Sequence, residues 1–133
     1  MKKLKRVLAN GCFDLFHIGH LRHLQQAARW GELIVSVTQD AFVNKGPGRP
    51  VFNVFDRMAI IYELKCVYSV VDCENALHAL KMIKPDIFVK GPDYVGKIDQ
   101  IHLDYCNANG IEIRFTEGVK LSSTAIYDRL RLS

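Results

Sequence analysis

The chain has 133 residues and a mass of 15.1 kDa, a size typical of one domain. Apolar residues make up 49% of the chain and charged residues 24%, which excludes a disordered chain, a collagen-like repeat and a coiled coil. The formal net charge is +4, and no long run of residues carries one sign. This balance favours small anionic ligands over a nucleic acid as partners.

No apolar run approaches the roughly 20 residues that a membrane-spanning helix needs. The charged start of the chain is followed by an apolar stretch too short for a signal peptide, so we expect a cytoplasmic protein with no membrane partner. The 4 cysteines form neither a Cys-x-x-Cys pair nor a zinc-type spacing, which predicts reduced thiols. With no internal repeat or boundary, residues 1–133 are expected to form a single domain.

Apolar runs and helix-period segments alternate along the chain. In the first half they predict a strand over Arg6–Asn10, a helix over Ile18–Trp30 that ends at Gly31, a strand over Glu32–Thr38, a loop over Asn44–Asn53 and a helix over Val54–Lys65. In the second half they predict a strand over Val67–Val71, a helix from Asp72 or Cys73 to Ile83, a strand over Asp86–Lys90, a helix over Ile98–Ala108, a strand over Ile111–Phe115, and a helix from Ser122 or Ser123 to about Arg131. This alternation indicates the α/β class: a Rossmann-like, doubly wound, five-stranded parallel sheet. Such sheets bind ligands at the carboxyl ends of their strands, near the point where strand order reverses.

The chemistry-bearing residues are densest between the first strand and the first helix, in N-G-C-F-D-L-F-H-I-G-H. Gly11 allows a sharp turn with exposed backbone N–H groups. His17 and His20 are three residues apart and project from one face of the first helical turn, and Gly19 between them removes a side chain. This pattern suits a polyphosphate, although one structural and one surface histidine remain the alternative.

These residues resemble the G-x-F-D-x-x-H-x-G-H signature of the small nucleotidyltransferases, which is related to the H-I-G-H motif of class I aminoacyl-tRNA synthetases. The resemblance covers nearly the whole chain and extends to glycerol-3-phosphate cytidylyltransferase and to the adenylyltransferase domain that makes ADP-heptose. It implies the nucleotidyltransferase fold of the HIGH superfamily. It also implies Mg²⁺-dependent transfer of a nucleoside monophosphate from an NTP to a phosphorylated small molecule, with release of pyrophosphate and no covalent enzyme intermediate.

The resemblance also assigns roles to individual positions. It implies that His17, His20 and Lys45 are catalytic, that Asp40 and Arg57 bind the acceptor, and that Asp14 orients the turn or the water shell of the metal. Alternatively, Arg57 pairs with a carboxylate of its own helix, and Lys45 is solvated. The implied nucleotide-binding residues are Asn10, Gly11, Cys12, Phe13, Gly19, Lys90, Gly91, Asp93, Ser122, Ser123 and Thr124.

The nucleotide base is predicted from departures within the same family. Cytidylyltransferases of this group carry R-Y-V-D before the third strand and R-T-E-G-I-S-T-T near the end. This chain has K-C-V-Y at residues 65–68 and F-T-E-G-V-K-L-S-S-T at residues 115–124, without either arginine. Its V-K-G-P-D-Y at residues 89–94 is similar to V-K-G-G-D-Y of the heptose enzymes. We therefore expect ATP as donor and a sugar phosphate as acceptor. A CTP-dependent enzyme acting on glycerol 3-phosphate or a similar polyol phosphate is the alternative.

Two hypotheses from other classes remain. One is a regulatory module that binds nucleotides without turnover, and the other is a metal-binding protein that uses Asp14, His17 and His20. We also expect a homodimer, because family members of this size are commonly dimeric and because the aromatic and apolar surface near Tyr94, Ile98 and Ile101 is available for it. The glycines and prolines of the Asn44–Asn53 loop predict a lid edge that becomes ordered over bound phosphates.

Overall fold

A computed structural model describes residues 4–118 and 123–132 of the chain. The strands are β1 (Arg6–Gly11), β2 (Glu32–Thr38), β3 (Ser69–Cys73), β4 (Ile87–Lys90) and β5 (Glu112–Phe115). The helices are α1 (Ile18–Ala27), α2 (Val54–Tyr62), α3 (Ala76–Ile83), α4 (Gln100–Ala108) and α5 (Ser123–Leu132). The predicted α/β class is confirmed.

All strand pairs in the sheet are parallel, and the order is β3-β2-β1-β4-β5. The chain first builds outward from β1 through β2 to β3. It then crosses to the other side of β1 with β4 and β5. Strand order therefore reverses between β1 and β4, and the carboxyl ends of these two strands frame the expected ligand crevice.

Both faces of the sheet are buried, so the central strands carry apolar residues almost continuously. Val7, Ala9, Val35 and Val37 point into one core with α1 and α2. Leu8, Ile34 and Phe88 belong to a second core with α3 and α4. Successive residues of one strand alternate between the two cores, as the period of a β-strand requires.

The third strand and the start of the helix after it differ from the sequence prediction. The third strand begins at Ser69 rather than Val67 and continues to Cys73, because Asp72 and Cys73 remain paired with Val37 and Thr38 of β2. The helix predicted to start at Asp72 or Cys73 therefore starts at Ala76. Its N-cap is Asn75, whose side-chain oxygen accepts a hydrogen bond from the His78 backbone N–H at 2.8 Å.

Helix lengths also differ at three termini. The helix predicted over Ile18–Trp30 keeps α geometry to Ala27 and finishes as a 3₁₀ turn, and α2 ends at Tyr62 instead of Lys65. The helix predicted from Ile98 begins at Gln100, because Asp99 accepts a hydrogen bond from the Ile101 N–H at 3.0 Å as its cap. No helix among the described residues is long and apolar enough to cross a membrane.

Candidate active site

The turn after β1 holds two non-glycine residues in the left-handed region, Phe13 at φ 53° and Leu15 at φ 52°. Each such residue costs on the order of 1–3 kcal/mol, so the surrounding structure must enforce the turn. Asp14 lies between them and is fully buried. Its carboxylate accepts hydrogen bonds from Arg49 Nε at 2.9 Å, from the Val51 N–H at 2.7 Å and from the Phe52 N–H at 3.0 Å. Asp14 thus fastens the turn to the segment before α2.

These contacts support one of the two roles predicted for Asp14, the orientation of the turn. Burial raises the pKa of Asp14, but the hydrogen bonds from the two backbone N–H groups and the Arg49 guanidinium outweigh it and hold the pKa below its usual range. A carboxylate with both oxygens engaged and no exposed surface has no ready access to the water shell of a metal.

His17 and His20 cap the first turn of α1 with their imidazole rings. His17 Nδ1 accepts from the Gly19 N–H at 3.1 Å, and His20 Nδ1 accepts from the His17 N–H at 3.2 Å. The rings are stacked with centroids 3.8 Å apart. This reciprocal arrangement is a capping box in which histidines replace the usual hydroxyl and carboxylate.

The same hydrogen bonds determine which ring nitrogen carries the proton. A backbone N–H can only donate, so both Nδ1 atoms are unprotonated and each neutral ring has its proton on Nε2. Burial, the charge of His17 and the charge of Lys45 lower the pKa of His20 to about 3. Burial and Lys45 lower the pKa of His17 as well. At neutral pH each ring therefore presents an Nε2–H donor.

A pocket of about 580 Å³ opens at the carboxyl ends of β1 and β4 and over the start of α1. The buried His17 Nε2 has no hydrogen-bond partner within the described part of the chain, and His17 lines this pocket. A buried donor of this kind calls for an acceptor on a ligand. The pocket brings together eleven predicted site residues: Asn10, Gly11, Cys12, Phe13, His17, Gly19, His20, Lys45, Lys90, Gly91 and Asp93.

Lys90, at the end of β4, supplies positive charge to the same pocket. Its ammonium lies 4.4 Å from the Tyr94 ring centroid and 5.3 Å from the Phe88 ring centroid. Burial lowers the pKa of Lys90, and Asp93 partly offsets that effect. With Lys45, Lys90 makes the pocket suited to an anionic ligand.

Two predicted acceptor residues lie outside this lining. The Arg57 side chain is buried, and it donates to the Cys12 carbonyl at 2.7 Å, to the Phe52 carbonyl at 2.9 Å and to Asp40 Oδ1 at 2.6 Å. The expected alternative, an ion pair within its own helix, is replaced by this pair with Asp40. Arg57 therefore connects α2 to the turn that carries Cys12, and Asp40 holds its outer end.

Sequence reasoning missed a second pair of residues on α1. His23 and Gln26 continue the three-residue spacing of His17 and His20, and both line the pocket. His23 Nδ1 lies 2.6 Å from Thr116 Oγ1, and burial lowers the pKa of His23 to about 4. Gln26 accepts from the Glu117 N–H at 2.8 Å and donates to the Glu117 carbonyl. The spacing was the available signal, because each of these residues is a neighbour on the helix surface of the one three positions before it.

The predicted phosphate-binding serines and threonine fall at the edge of what the structure describes. Ser122 lies outside the described residues. Ser123 and Thr124 form the first turn of α5, whose backbone alone is described. Among the described residues, no group of three or more His, Cys, Asp and Glu side chains is placed to hold a metal ion.

The chain matches a family model described as cytidylyltransferase-like over residues 8–129. The chain belongs to this family of nucleotidyltransferases. The resemblance inferred from G-C-F-D-L-F-H-I-G-H is confirmed.

Named relatives of this nucleotidyltransferase domain are larger proteins. It is 43% identical to the bifunctional protein HldE of Pseudomonas syringae pv. tomato over 136 aligned residues, which cover 97% of this chain and 28% of the relative. The bifunctional protein HldE of Nitratiruptor is also 43% identical, with 98% and 29% covered. The chain thus spans a little over a quarter of the length of these relatives.

Solved structures share this fold. A lipopolysaccharide core biosynthesis protein from Thermoplasma volcanium is 31% identical with a TM-score of 0.72, and the match covers 90% of this chain and all of that one. Pantothenate synthetase from Thermus thermophilus has a TM-score of 0.66 at 15% identity, with 92% of this chain and 61% of that chain covered, and supports the fold alone. The predicted HIGH-superfamily fold is confirmed.

Proposed function

We propose that this domain transfers the adenylyl group of ATP to a sugar phosphate and releases pyrophosphate. The observation that carries this proposal is the pair of Nε2–H donors of His17 and His20 at the mouth of α1, of which the His17 donor is buried without a partner among the described residues. The resemblance to the ADP-heptose type of adenylyltransferase supports the choice of ATP and of a sugar phosphate. The Thermoplasma protein is named for lipopolysaccharide core biosynthesis, which agrees with a sugar substrate.

In the proposed reaction an oxygen of the acceptor phosphate attacks the α-phosphorus of ATP, and the bond to the bridging oxygen of pyrophosphate breaks. The acceptor phosphate is already an anionic nucleophile, so the reaction needs no general base. Negative charge grows on the equatorial and leaving oxygens. Neutral imidazoles that donate from Nε2 stabilise this charge without any proton transfer.

The remaining residues act by position and charge. Lys45 lies near both histidines, since its charge lowers both their pKa values, and we assign it to the phosphates between donor and acceptor. Lys90 faces the same pocket from β4 and is assigned to the nucleotide. Arg57 and Asp40 act on the acceptor only indirectly in this proposal, because they hold the Cys12 turn. Ser122, Ser123 and Thr124 are proposed to face the β- and γ-phosphates.

Only the resemblance to the family supports the inclusion of Mg²⁺ in this proposal. The donor set of the described residues does not fit a protein-held metal, because Asp14 is consumed by Arg49 and by two backbone N–H groups. Any Mg²⁺ would enter on the triphosphate with most of its water ligands, as this ion commonly does.

The test separates the imidazole donor from the helix cap. His17→Asn keeps a side-chain oxygen for the Gly19 N–H, because asparagine is a good N-cap, but it removes the Nε2 donor. With ATP, Mg²⁺ and a panel of phosphorylated sugars and polyols, pyrophosphate release should fall roughly 10²–10³-fold in kcat, the scale of one lost transition-state donor. ATP affinity should change far less.

His78→Asn is the matched control. His78 Nδ1 also accepts a backbone hydrogen bond, from the Glu74 N–H at 2.9 Å, and His78 lies away from the pocket. Its variant should retain full turnover. Near-wild-type kcat in His17→Asn would disprove the assigned role, and absence of pyrophosphate release with every acceptor would favour the regulatory module. A tenfold preference for CTP would move the domain to the polyol branch.

A further inference from the structure

A second pocket of about 360 Å³ adjoins the first, and Asn10, Lys90 and Tyr94 line both. Its volume lies within the range of about 300–1,000 Å³ that small-molecule sites occupy. The far wall is formed by the end of β2 at Thr38 and by the N-termini of α3 and α4.

The Asn10 side chain has a defined orientation in the wall between the two pockets. Its Nδ2 donates to Ser36 Oγ at 2.8 Å and to Cys73 Sγ at 3.1 Å, and lies 3.4 Å from the Ser36 carbonyl oxygen. A backbone carbonyl can only accept, so the amide nitrogen must be the atom that faces Ser36. Ser36 and Cys73 are both fully buried, and water does not compete for these contacts.

The opposite branch of the amide is Oδ1, and no donor among the described residues reaches it. Oδ1 can only accept a hydrogen bond, and at neutral pH a phosphate ester in such a site offers mainly acceptors. A hydroxyl group of a ligand is therefore a suitable donor to Asn10 Oδ1. Asn10 thus complements the cationic phosphate-binding groups instead of duplicating them.

The rest of the second pocket is polar and held in place. Asn75 and Asp99 are fixed by their roles as caps of α3 and α4, where they accept from the His78 and Ile101 N–H groups. The Thr38 hydroxyl donates to the Gly11 carbonyl at 3.4 Å, and the Tyr94 ring forms an apolar wall. Amide, carboxylate and hydroxyl groups beside an aromatic ring complement a carbon skeleton that carries several hydroxyls.

We propose that the second pocket holds the hydroxylated skeleton of the acceptor, with Asn10 Oδ1 accepting from one of its hydroxyls and with Ser36 and Cys73 as positioning residues for Asn10. The phosphate of the acceptor then points toward Lys90, in the wall shared with the nucleotide pocket. This assignment rests on the proposed function, because it gives the acceptor of that reaction its place. It moves Asn10 from the expected nucleotide-binding set to the acceptor.

The first experiment compares Asn10→Leu with Asn107→Leu, an equivalent change at an exposed position of α4 outside both pockets. Titration calorimetry measures binding of six- and seven-carbon aldose 1-phosphates in the presence of a non-hydrolysable ATP analogue, and binding of that analogue alone. Asn10→Leu should weaken aldose phosphate binding roughly tenfold, the scale of one unsatisfied polar group. Analogue affinity should stay within twofold, and Asn107→Leu should match the wild type.

A second pair of variants tests the positioning residues even where Asn10→Leu fails to fold. Cys73→Val removes one of the two side-chain acceptors of Asn10 Nδ2 at similar volume, whereas Cys73→Ser keeps an acceptor there. Cys73→Val should weaken only the aldose phosphate, by a few-fold, and Cys73→Ser should restore it. If the role of Cys73 were purely structural, the variants would lower the free energy of unfolding equally, and they would not weaken the aldose phosphate more than the ATP analogue.

Several results would overturn the assignment. They are the failure of every aldose phosphate to bind the wild type, equal losses for both ligands, and no loss for either in the Asn10 variant. If Asn10→Leu weakens the binding of ATP alone, and if 2′- or 3′-deoxyATP binds this variant and the wild type equally, Asn10 contacts the ribose. Ligand-specific losses without pyrophosphate release would support the pocket and disprove the reaction, whereas turnover with unchanged acceptor affinity in Asn10→Leu would do the reverse.

Discussion

Removal of the Asp14 charge should destabilise the domain more than most single substitutions. In Asp14→Asn one carboxylate oxygen becomes an NH₂ group, which faces a donor, since both oxygens accept in the wild type. Arg49, whose side chain is 1% exposed, is left as a buried charge without this carboxylate. Loss of one member of a buried ion pair costs roughly 3–5 kcal/mol, and we expect a loss of that size in the free energy of unfolding.

The assay is urea unfolding followed by far-ultraviolet circular dichroism at pH 7. Glu112→Gln serves as the control, because it breaks the exposed pair between Glu112 and Arg114 and should leave the midpoint unchanged. A loss below about 1 kcal/mol in Asp14→Asn would refute the argument, since it would mean that solvent or a rearranged loop compensates Arg49.

The pH dependence gives an independent check on the same residue. The pKa of Asp14 is lowered in the folded state, so its stabilising contribution is complete above the unfolded value of about 3.9 and is lost as the pH falls through the folded pKa. The difference in stability between wild type and Asp14→Asn should therefore be constant from pH 7 to 5 and narrow only below about pH 4. Narrowing near pH 6 would implicate a histidine instead.

Three further outcomes are expected. Burial lowers the pKa of His23 to about 4 in the folded state, below its unfolded value of about 6.5. Its contribution to the free energy of unfolding, up to about 3 kcal/mol, is therefore complete above pH 6.5 and is lost as the pH falls toward 4. A wild-type pH profile of unfolding that equals the profile of His23→Gln would contradict this expectation. Trypsin cleavage after Lys45 should slow when ATP and Mg²⁺ are added, and an unchanged rate would count against a lid over the phosphates. Sedimentation should give a dimer of the 15.1 kDa chain, because Tyr94 and Ile101 are exposed instead of packed on the sheet; a monomer at micromolar concentration would end that prediction.

The fold could be predicted from the sequence because its signals are local. Strand β2 coincides with the predicted Glu32–Thr38, and the other strands lie within two residues of their predicted bounds. The error at the third strand has a physical cause. Val67 is apolar like a strand residue, but pairing with β2 begins at Ser69, at the edge of the sheet, where burial is partial and the sequence signal is weak.

In the candidate site, too, the residues with a local sequence signal could be predicted and the contacts between distant segments could not. The spacing of His17 and His20 predicts two neighbouring rings on the first turn of the helix. The same three-residue spacing, continued by one step, would also have predicted His23. The contacts of Asp14 with residues 49–52 and of Arg57 with Asp40 join segments far apart in sequence. Only the folded chain brings these groups together, so composition and period carry no signal for them.

This difference explains why the roles of Asp14 and Arg57 are harder to assign from the sequence than those of the histidines. A histidine at a helix start has its role fixed by the adjacent backbone N–H groups, which are dictated by the helix itself. A buried carboxylate or guanidinium must be neutralised by whichever partner the fold supplies. Asp14 and Arg57 are each satisfied by such partners, so their charges stabilise the turn that presents Cys12 and the histidines. In the proposed function the chemistry is left to the neutral imidazoles and to the lysines that line the pocket. Mutations of Asp14 or Arg57 should therefore lower activity through loss of the turn rather than through loss of a reacting group.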